Sequence, residues 1–225
     1  MLDLKKFRVL TFDCYGTLID WESGILKALL PLLFRRDIAL SDDEILRLYA
    51  ELEAKAEQGA YLKYREVLRK VMQGFGDKFK FIPSEEELNA LPDSVKNWKP
   101  FPDTVEALLE LKQRFKLSII SNTDDALFAE TARHLRVKFD WVTTAEQVKS
   151  YKPSPNNFRQ AIEKIGISPD KILHVAQSVY HDIIPAKSLG LATVLVRRRG
   201  AGATLPAEEQ PDLEVPDLKT LASLV

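Results

Sequence analysis

Five short runs of apolar and β-branched residues recur along the chain, at residues 7–13, 117–121, 141–144, 172–176 and 192–196. Between the later ones, residues 105–115, 126–135, 157–165 and 182–189 repeat their apolar positions at helical spacing. A strand followed by a helix before the next strand cannot close a hairpin, so it must pair in parallel through a crossover. The rhythm therefore predicts an α/β fold with a Rossmann-like three-layer core, a parallel sheet carrying helices on both faces. Pro102, Pro155 and Pro185 lie near three of the predicted helix starts, where a missing N–H costs little.

The rhythm fails between the first run and the second. Residues 21–98 hold no strand pattern and read as successive helices. Residues 25–33 are strongly apolar, Ser41-Asp42-Asp43-Glu44 is a capping box opening a helix to Ala56, and residues 61–75 are amphipathic. Ser84-Glu85-Glu86-Glu87 opens a further short helix, and Trp98-Lys99-Pro100-Phe101-Pro102 reads as a return hinge. The expected organisation is a core of residues 1–20 and 99–225 interrupted by a helical domain of residues 21–98. Entering directly after the first strand, that domain should lie as a lid over the strand's end.

At 225 residues the chain can bury one sizeable core plus such an insertion. A net charge of -1 offers no field to draw nucleic acid or an anionic membrane, so neither is an expected partner. The run Arg197-Arg198-Arg199 reads either as a phosphate site or, more simply, as a solvated strand end. A single cysteine excludes an internal disulfide framework and fits a reducing, cytoplasmic location. No apolar run has the length of a membrane span, and the N-terminus does not read as a signal peptide.

Every candidate polar group falls at a strand's carboxyl end, where ligands bind in open parallel sheets. The first strand delivers Asp13 and Thr17 in Asp13-Cys14-Tyr15-Gly16-Thr17, with Gly16 turning the chain so that following N–H groups face the carboxylate. The second delivers Ser121-Asn122. The loop after the third delivers Lys152 in Tyr151-Lys152-Pro153. The fourth delivers Gln177, Ser178 and Asp182 in Gln177-Ser178-Val179-Tyr180-His181-Asp182. Asp13 is then a nucleophile, Lys152 the cation that keeps it ionised and holds an anion, and Asp182 the partner that fixes Lys152. Ser121, Asn122 and backbone N–H groups are donors for a carboxylate, phosphate or departing halide. Cys14 adjoins the nucleophile and reads as a buried thiol. His181 reads as a general base or a loop anchor, and His134 and His174 as structural residues.

These four motifs, in order and spacing, resemble those of the haloacid dehalogenase superfamily over almost the whole chain. The resemblance implies a Rossmann-like core, a helical cap domain inserted after the first strand, and Asp13 as nucleophile. Phosphatases of that superfamily carry a second Asp two residues after the nucleophile, to protonate the leaving alkoxide, and bind Mg²⁺ through a fourth-motif acid. Here those places hold Tyr15 and Ala176-Gln177. Halide leaves without a proton and needs no metal, so the chain resembles the (S)-2-haloacid dehalogenases most. That implies metal-independent conversion of a small (S)-2-haloacid to an (R)-2-hydroxy acid through an aspartyl ester on Asp13, with no cofactor. Catalytic roles pass to Asp13, Lys152, Asp182 and Thr17, and substrate contacts to Cys14, Tyr15, Ser121, Asn122, Ser178 and Tyr64.

The cap arginine that holds halide in characterised dehalogenases is absent from the matching stretch, Leu48-Tyr49-Ala50-Glu51. Arg65 is the candidate replacement, or a surface arginine; Tyr61 and Tyr64 close the pocket or fill the cap's own core. Two alternatives stand beside the dehalogenase: a Mg²⁺-dependent small-molecule phosphatase, and a catalytically weak anion-binding protein. Dimerisation through helical surfaces is common in the superfamily, so the resemblance allows a homodimer, to which no residue here testifies.

Overall fold

The computed structural model describes residues 2–198 and 207–225. Its sheet has six parallel strands in the order β3-β2-β1-β4-β5-β6. They are β1 (Val9–Phe12), β2 (Lys116–Ser121), β3 (Trp141–Thr144), β4 (Ile172–Ala176), β5 (Ala192–Val196) and β6 (Leu213–Val215). The five expected strands are present. The sixth is three residues on an open edge with Val215 alone buried, too short a pattern to stand out from a loop.

Side chains alternate across β1, β2 and β4, and each face has its own core. Leu10, Phe12, Leu117, Ile119, Leu173 and Val175 pack with α5 (Thr104–Leu111), α6 (Asp125–Leu135) and α10 (Leu218–Ser223). Val9, Ile120 and Ile172 pack with α8 (Pro155–Ile165) and α9 (Ile184–Ser188). Pro155 and Pro185 stand in the first turns of α8 and α9, as expected. A four-residue helix, α7 (Ala145–Val148), follows β3.

Between β1 and α5 lie α1 (Trp21–Phe34), α2 (Asp42–Ala56), α3 (Tyr64–Phe79) and α4 (Glu85–Ser94). The expected capping box forms on Ser41 with Glu44, and the helix expected at Ser84 opens with a second one, on Ser84 with Glu87. α3 starts and ends later than the apolar pattern suggests, for two reasons. Its first N–H groups, on Tyr64 and Arg65, donate to the carboxylate of Asp124 at 2.7 and 2.8 Å, a cap supplied from the far side of the fold. Its far end runs on until Lys80 adopts a left-handed conformation. Two more ties join the α2–α3 connection to the sheet: Tyr151 Oη donates to Leu62 O at 2.8 Å, and Lys63 pairs with Glu146 at 2.6 Å. Gly24 permits close approach of α1 to the buried Trp98, because a Cβ there would stand 2.3 Å from the indole. No helix among the described residues is long and apolar enough to cross a membrane.

The strand order reverses about β1: the chain steps to β2 and β3 on one side, then crosses back to β4 on the other. Such a switch opens a crevice at the carboxyl ends of the strands. The insertion α1–α4 covers that crevice, contributing Trp21, Glu53, Glu57 and Tyr64 to its wall.

Candidate active site

Asp13 follows β1 directly, and its N–H continues the ladder to Val175 O at 3.1 Å, so the strand fixes its backbone. The next residues close a tight turn in which the Leu18 and Ile19 N–H groups donate to Cys14 O. Gly16 sits in it at φ 93°, a conformation costly for any residue with a Cβ. Its N–H donates to Ile19 O at 2.9 Å. The turn therefore consumes a backbone donor that the sequence had suggested for the substrate. Its benefit is to bring Thr17 back over the carboxylate, where Thr17 Oγ1 donates to Asp13 Oδ2 at 2.6 Å and accepts from Gln177 N at 2.9 Å.

Lys152 is 1% exposed and reaches the same point from the β3–β4 crossover. Its ammonium donates to Asp13 Oδ1 at 2.8 Å, Asp182 Oδ1 at 2.7 Å and Ile120 O at 3.1 Å, which uses all three of its hydrogens. Asn122 positions it. Asn122 Oδ1 accepts from Lys152 N at 2.7 Å, and Asn122 Nδ2 donates to Lys152 O at 3.0 Å. Asp182 is held from behind as well. His174 Nε2 meets its Oδ1 at 3.0 Å, and His174 Nδ1 meets Thr11 Oγ1 at 2.8 Å. Asp182 Oδ2 is buried and has no hydrogen-bond partner among the described residues.

These contacts set the charges. Burial pushes the Asp182 carboxyl up, but Lys152 and His174 outweigh it and hold it below the ordinary range. At Asp13 burial wins: Lys152 pulls its pKa down incompletely, the Asp182 charge opposes ionisation, and it stays above its ordinary value. Burial works against the charge on Lys152, yet its two aspartates more than compensate, so its pKa rises and it remains an ammonium.

Asp13, Tyr15, Ser121, Asn122, Lys152, Ser178, Asp182 and Tyr64 all line one cavity of about 40 Å³, room for about three waters. Ser121 Oγ is buried there with no hydrogen-bond partner among the described residues. Ser178 Oγ accepts from His181 N at 3.0 Å and so caps the wide helical turn Val179–Ile183, which with α9 replaces the single helix expected over 182–189. Tyr15 turns its hydroxyl to Thr131 Oγ1 at 2.8 Å and sets its ring edge-on to Trp98.

Two expectations, on Cys14 and His174, need correction, and two open alternatives, on Arg65 and the basic run, are decided. Cys14 is completely buried within the sheet's core and does not line the cavity, because its side chain faces away from Asp13; burial pushes its thiol well up. Arg65 does not replace the missing cation: its guanidinium pairs with Asp93 at the surface. His174 is no isolated structural residue, since strand pairing sets it beside Thr11 and beneath Asp182. In the basic run, Arg197 pairs with Glu214, and Arg198 holds Asp103 and Thr17 O, supporting the Thr17 turn from outside the cavity. Arg199 lies outside the described residues. His181 lines the cavity, and burial lowers its pKa to about 4, so it is neutral at physiological pH.

The sequence reading missed the wall of the insertion. Trp21, Glu53 and Glu57 line the cavity beside Tyr64 and Gln177, which the sequence had already singled out. Glu53 is buried and accepts from Tyr49 Oη at 2.9 Å and Tyr64 Oη at 2.6 Å. The available signal was its position on the apolar stripe of α2, in line with Ile45, Leu46, Tyr49 and Ala50. A Mg²⁺ ion of the kind the phosphatases use does not suit these residues. The Lys152 ammonium already lies between the two aspartates, Gln177 stands where a further acid would be needed, and no metal-binding cluster occurs among the described residues.

The parallel sheet thus sets a buried, lysine-paired aspartate at its switch point, in the wall of a polar cavity. The chain belongs to the haloacid dehalogenase-like hydrolase family, whose model matches residues 7–190. It is 26% identical over 226 residues to haloacetate dehalogenase H-2 of Moraxella sp. (strain B), covering 99% of each chain. It is also 26% identical over 221 residues to a glyceraldehyde 3-phosphate phosphatase of Methanothermobacter thermautotrophicus, covering 95% of this chain and 96% of that one. The structure of L-2-haloacid dehalogenase from Xanthobacter autotrophicus with chloropropionic acid covalently bound superposes with a TM-score of 0.81. At 21% identity, over 97% of this chain and 98% of that one, this likeness establishes the fold.

Proposed function

We propose that the protein is a metal-independent dehalogenase that hydrolyses small (S)-2-haloacids to (R)-2-hydroxy acids. The observation that carries this reading is Tyr15. The place two residues after the nucleophile holds a phenol whose pKa burial pushes up and whose hydroxyl is committed to Thr131. It supplies no proton to a leaving group, so the group that departs must be stable as an anion, as halide is.

Asp13 attacks C2 in line with the carbon–halogen bond; that bond's electron pair leaves with the halide and C2 inverts. Ser121 Oγ, which has no partner among the described residues, donates to the substrate's anionic end. Water then adds to the Asp13 carbonyl carbon, oriented by Asp182 Oδ2, and the ester C–O bond at that carbon breaks. The 2-hydroxy acid leaves with its C2–O bond intact, so the inverted configuration persists and one proton is released to solvent. The haloacetate dehalogenase relative supports this chemistry, and the small cavity supports a two- or three-carbon substrate.

The phosphatase relative makes the second reading concrete, and one experiment separates them. Chloride release from each enantiomer of 2-chloropropionate is followed in EDTA, alongside phosphate release from glyceraldehyde 3-phosphate with Mg²⁺. Chloride from the (S) enantiomer, lost in Asp13→Asn, is the expected result. Mg²⁺-dependent phosphate release without any chloride overturns it.

A further inference from the structure

The insertion adds two carboxyls, and no cation, to the wall of a cavity read above as taking an anion. Among the lining residues, Asp13, Glu53, Glu57 and Asp182 are four carboxyls, and Lys152 is the one ammonium. Its three hydrogens are already taken. Glu53 and Glu57 both come from the end of α2, four residues apart and therefore on one face. Glu57 is the C-terminal cap of that helix, so the negative end of the helix dipole points the same way. A cation is favoured there and an anion opposed.

We infer that Glu53 and Glu57 recognise an ammonium group on the substrate, at the end remote from the carbon that Asp13 attacks. This rests on the dehalogenase reading for the chemistry at Asp13, and it names the substrate class as small haloacids that also carry an amino group. Such a zwitterion suits both walls. Its carboxylate takes the unpartnered Ser121 hydroxyl on the sheet side, and its ammonium takes the glutamates on the insertion side.

The glutamates' own energetics agree. Tyr49 and Tyr64 hydroxyls fix one oxygen of Glu53, while Asp13, Asp182, Lys152 and His181 face the pair across the cavity. Burial pushes Glu53 up to about 7, and burial together with the Glu53 charge pushes Glu57 well above its ordinary value. Two buried carboxyls without a cation resist ionising together; an ammonium between them removes that penalty.

The test is calorimetric titration of the intact protein at about pH 8, above the value of about 7 to which Glu53 is pushed. The probes are n-propylammonium sulfate and sodium propionate, with sodium sulfate as the ionic control. Propylammonium should bind at least ~10-fold more tightly than propionate, and Glu53→Gln and Glu57→Gln should each weaken it by ~10-fold or more. Glu57 is half-buried, so its variant keeps the test open if Glu53→Gln fails to fold. Propionate binding as tightly, neither probe binding, or propylammonium binding that survives in Glu57→Gln each overturns the inference. Because binding is read without turnover, propylammonium affinity without chloride release removes the dehalogenase reading, and with it the haloacid part of the substrate class, and leaves the ammonium site standing. Chloride release from (S)-2-chloropropionate without that affinity removes this inference alone.

Discussion

Replacing Lys152 by methionine keeps an unbranched stem in the core and deletes one charge. What it deletes can be sized from the geometry. Lys152 makes charge-assisted bonds of 2.8 and 2.7 Å to Asp13 and Asp182, each worth about 1.5–3 kcal/mol. It is 1% exposed, so solvent does not replace it. Breaking a buried pair and leaving the partner charges behind costs about 3–5 kcal/mol, and that is the loss expected near neutrality. The sign of its pH dependence follows from the shifts. In the native protein the Asp182 pKa lies below 3.8, so its contribution is present above that pH and is lost only as pH falls through the lowered value. In Lys152→Met both carboxyls have raised values. The folded state then binds protons more readily than the unfolded chain, and stability falls as pH rises above about 3.8. Urea unfolding at about pH 4 and pH 7 should therefore give a smaller difference from native at the lower pH than at the higher, where the full loss appears. Chloride release should drop by about three orders of magnitude, and the remainder should move to higher pH, where Asp13 ionises. A loss below about 1 kcal/mol at pH 7, or an equal loss at both pH values, would refute the claim that Lys152 neutralises the two aspartates.

Thr17→Val removes the donor to Asp13 Oδ2 and the acceptor for Gln177 N, and should lower kcat about 10- to 100-fold with about 1–2 kcal/mol of stability lost. Steady-state kinetics and urea midpoints check both; an unchanged kcat removes Thr17 from the catalytic set. Asp124→Ala uncaps α3, and should cost about 1 kcal/mol with faster amide exchange at Tyr64 and Arg65 than elsewhere in the helix. Gly24→Ala puts a methyl 2.3 Å from the Trp98 indole, and should destabilise by about 1–3 kcal/mol with a change in tryptophan fluorescence; unaltered emission and stability would show that α1 can move away.

The α/β class and the order of the motifs were legible because both are local properties. Strand and helix differ in apolar period, and a parallel sheet sends every strand end to one edge, so Asp13, Ser121, Lys152 and Asp182 could be grouped without coordinates. The capping box of α2 and the start of α4 were legible for the same reason, each signal lying within four consecutive residues. The β6 strand was not, because three residues on an edge carry no period.

What tertiary structure alone decided depends on contacts distant in sequence. The start of α3 is set by a carboxylate at Asp124, and His174 acquires its partner through strand pairing and the turn that carries Asp182. The direction of Tyr15 is set by Thr131, and the acidic wall of the cavity exists because α2 docks its Glu53 and Glu57 over Asp13. Sequence determined which carboxylate stands at the switch point, because a strand end fixes a side chain locally. The charge that faces it came from packing one helix across another element's end, a juxtaposition that no local period encodes.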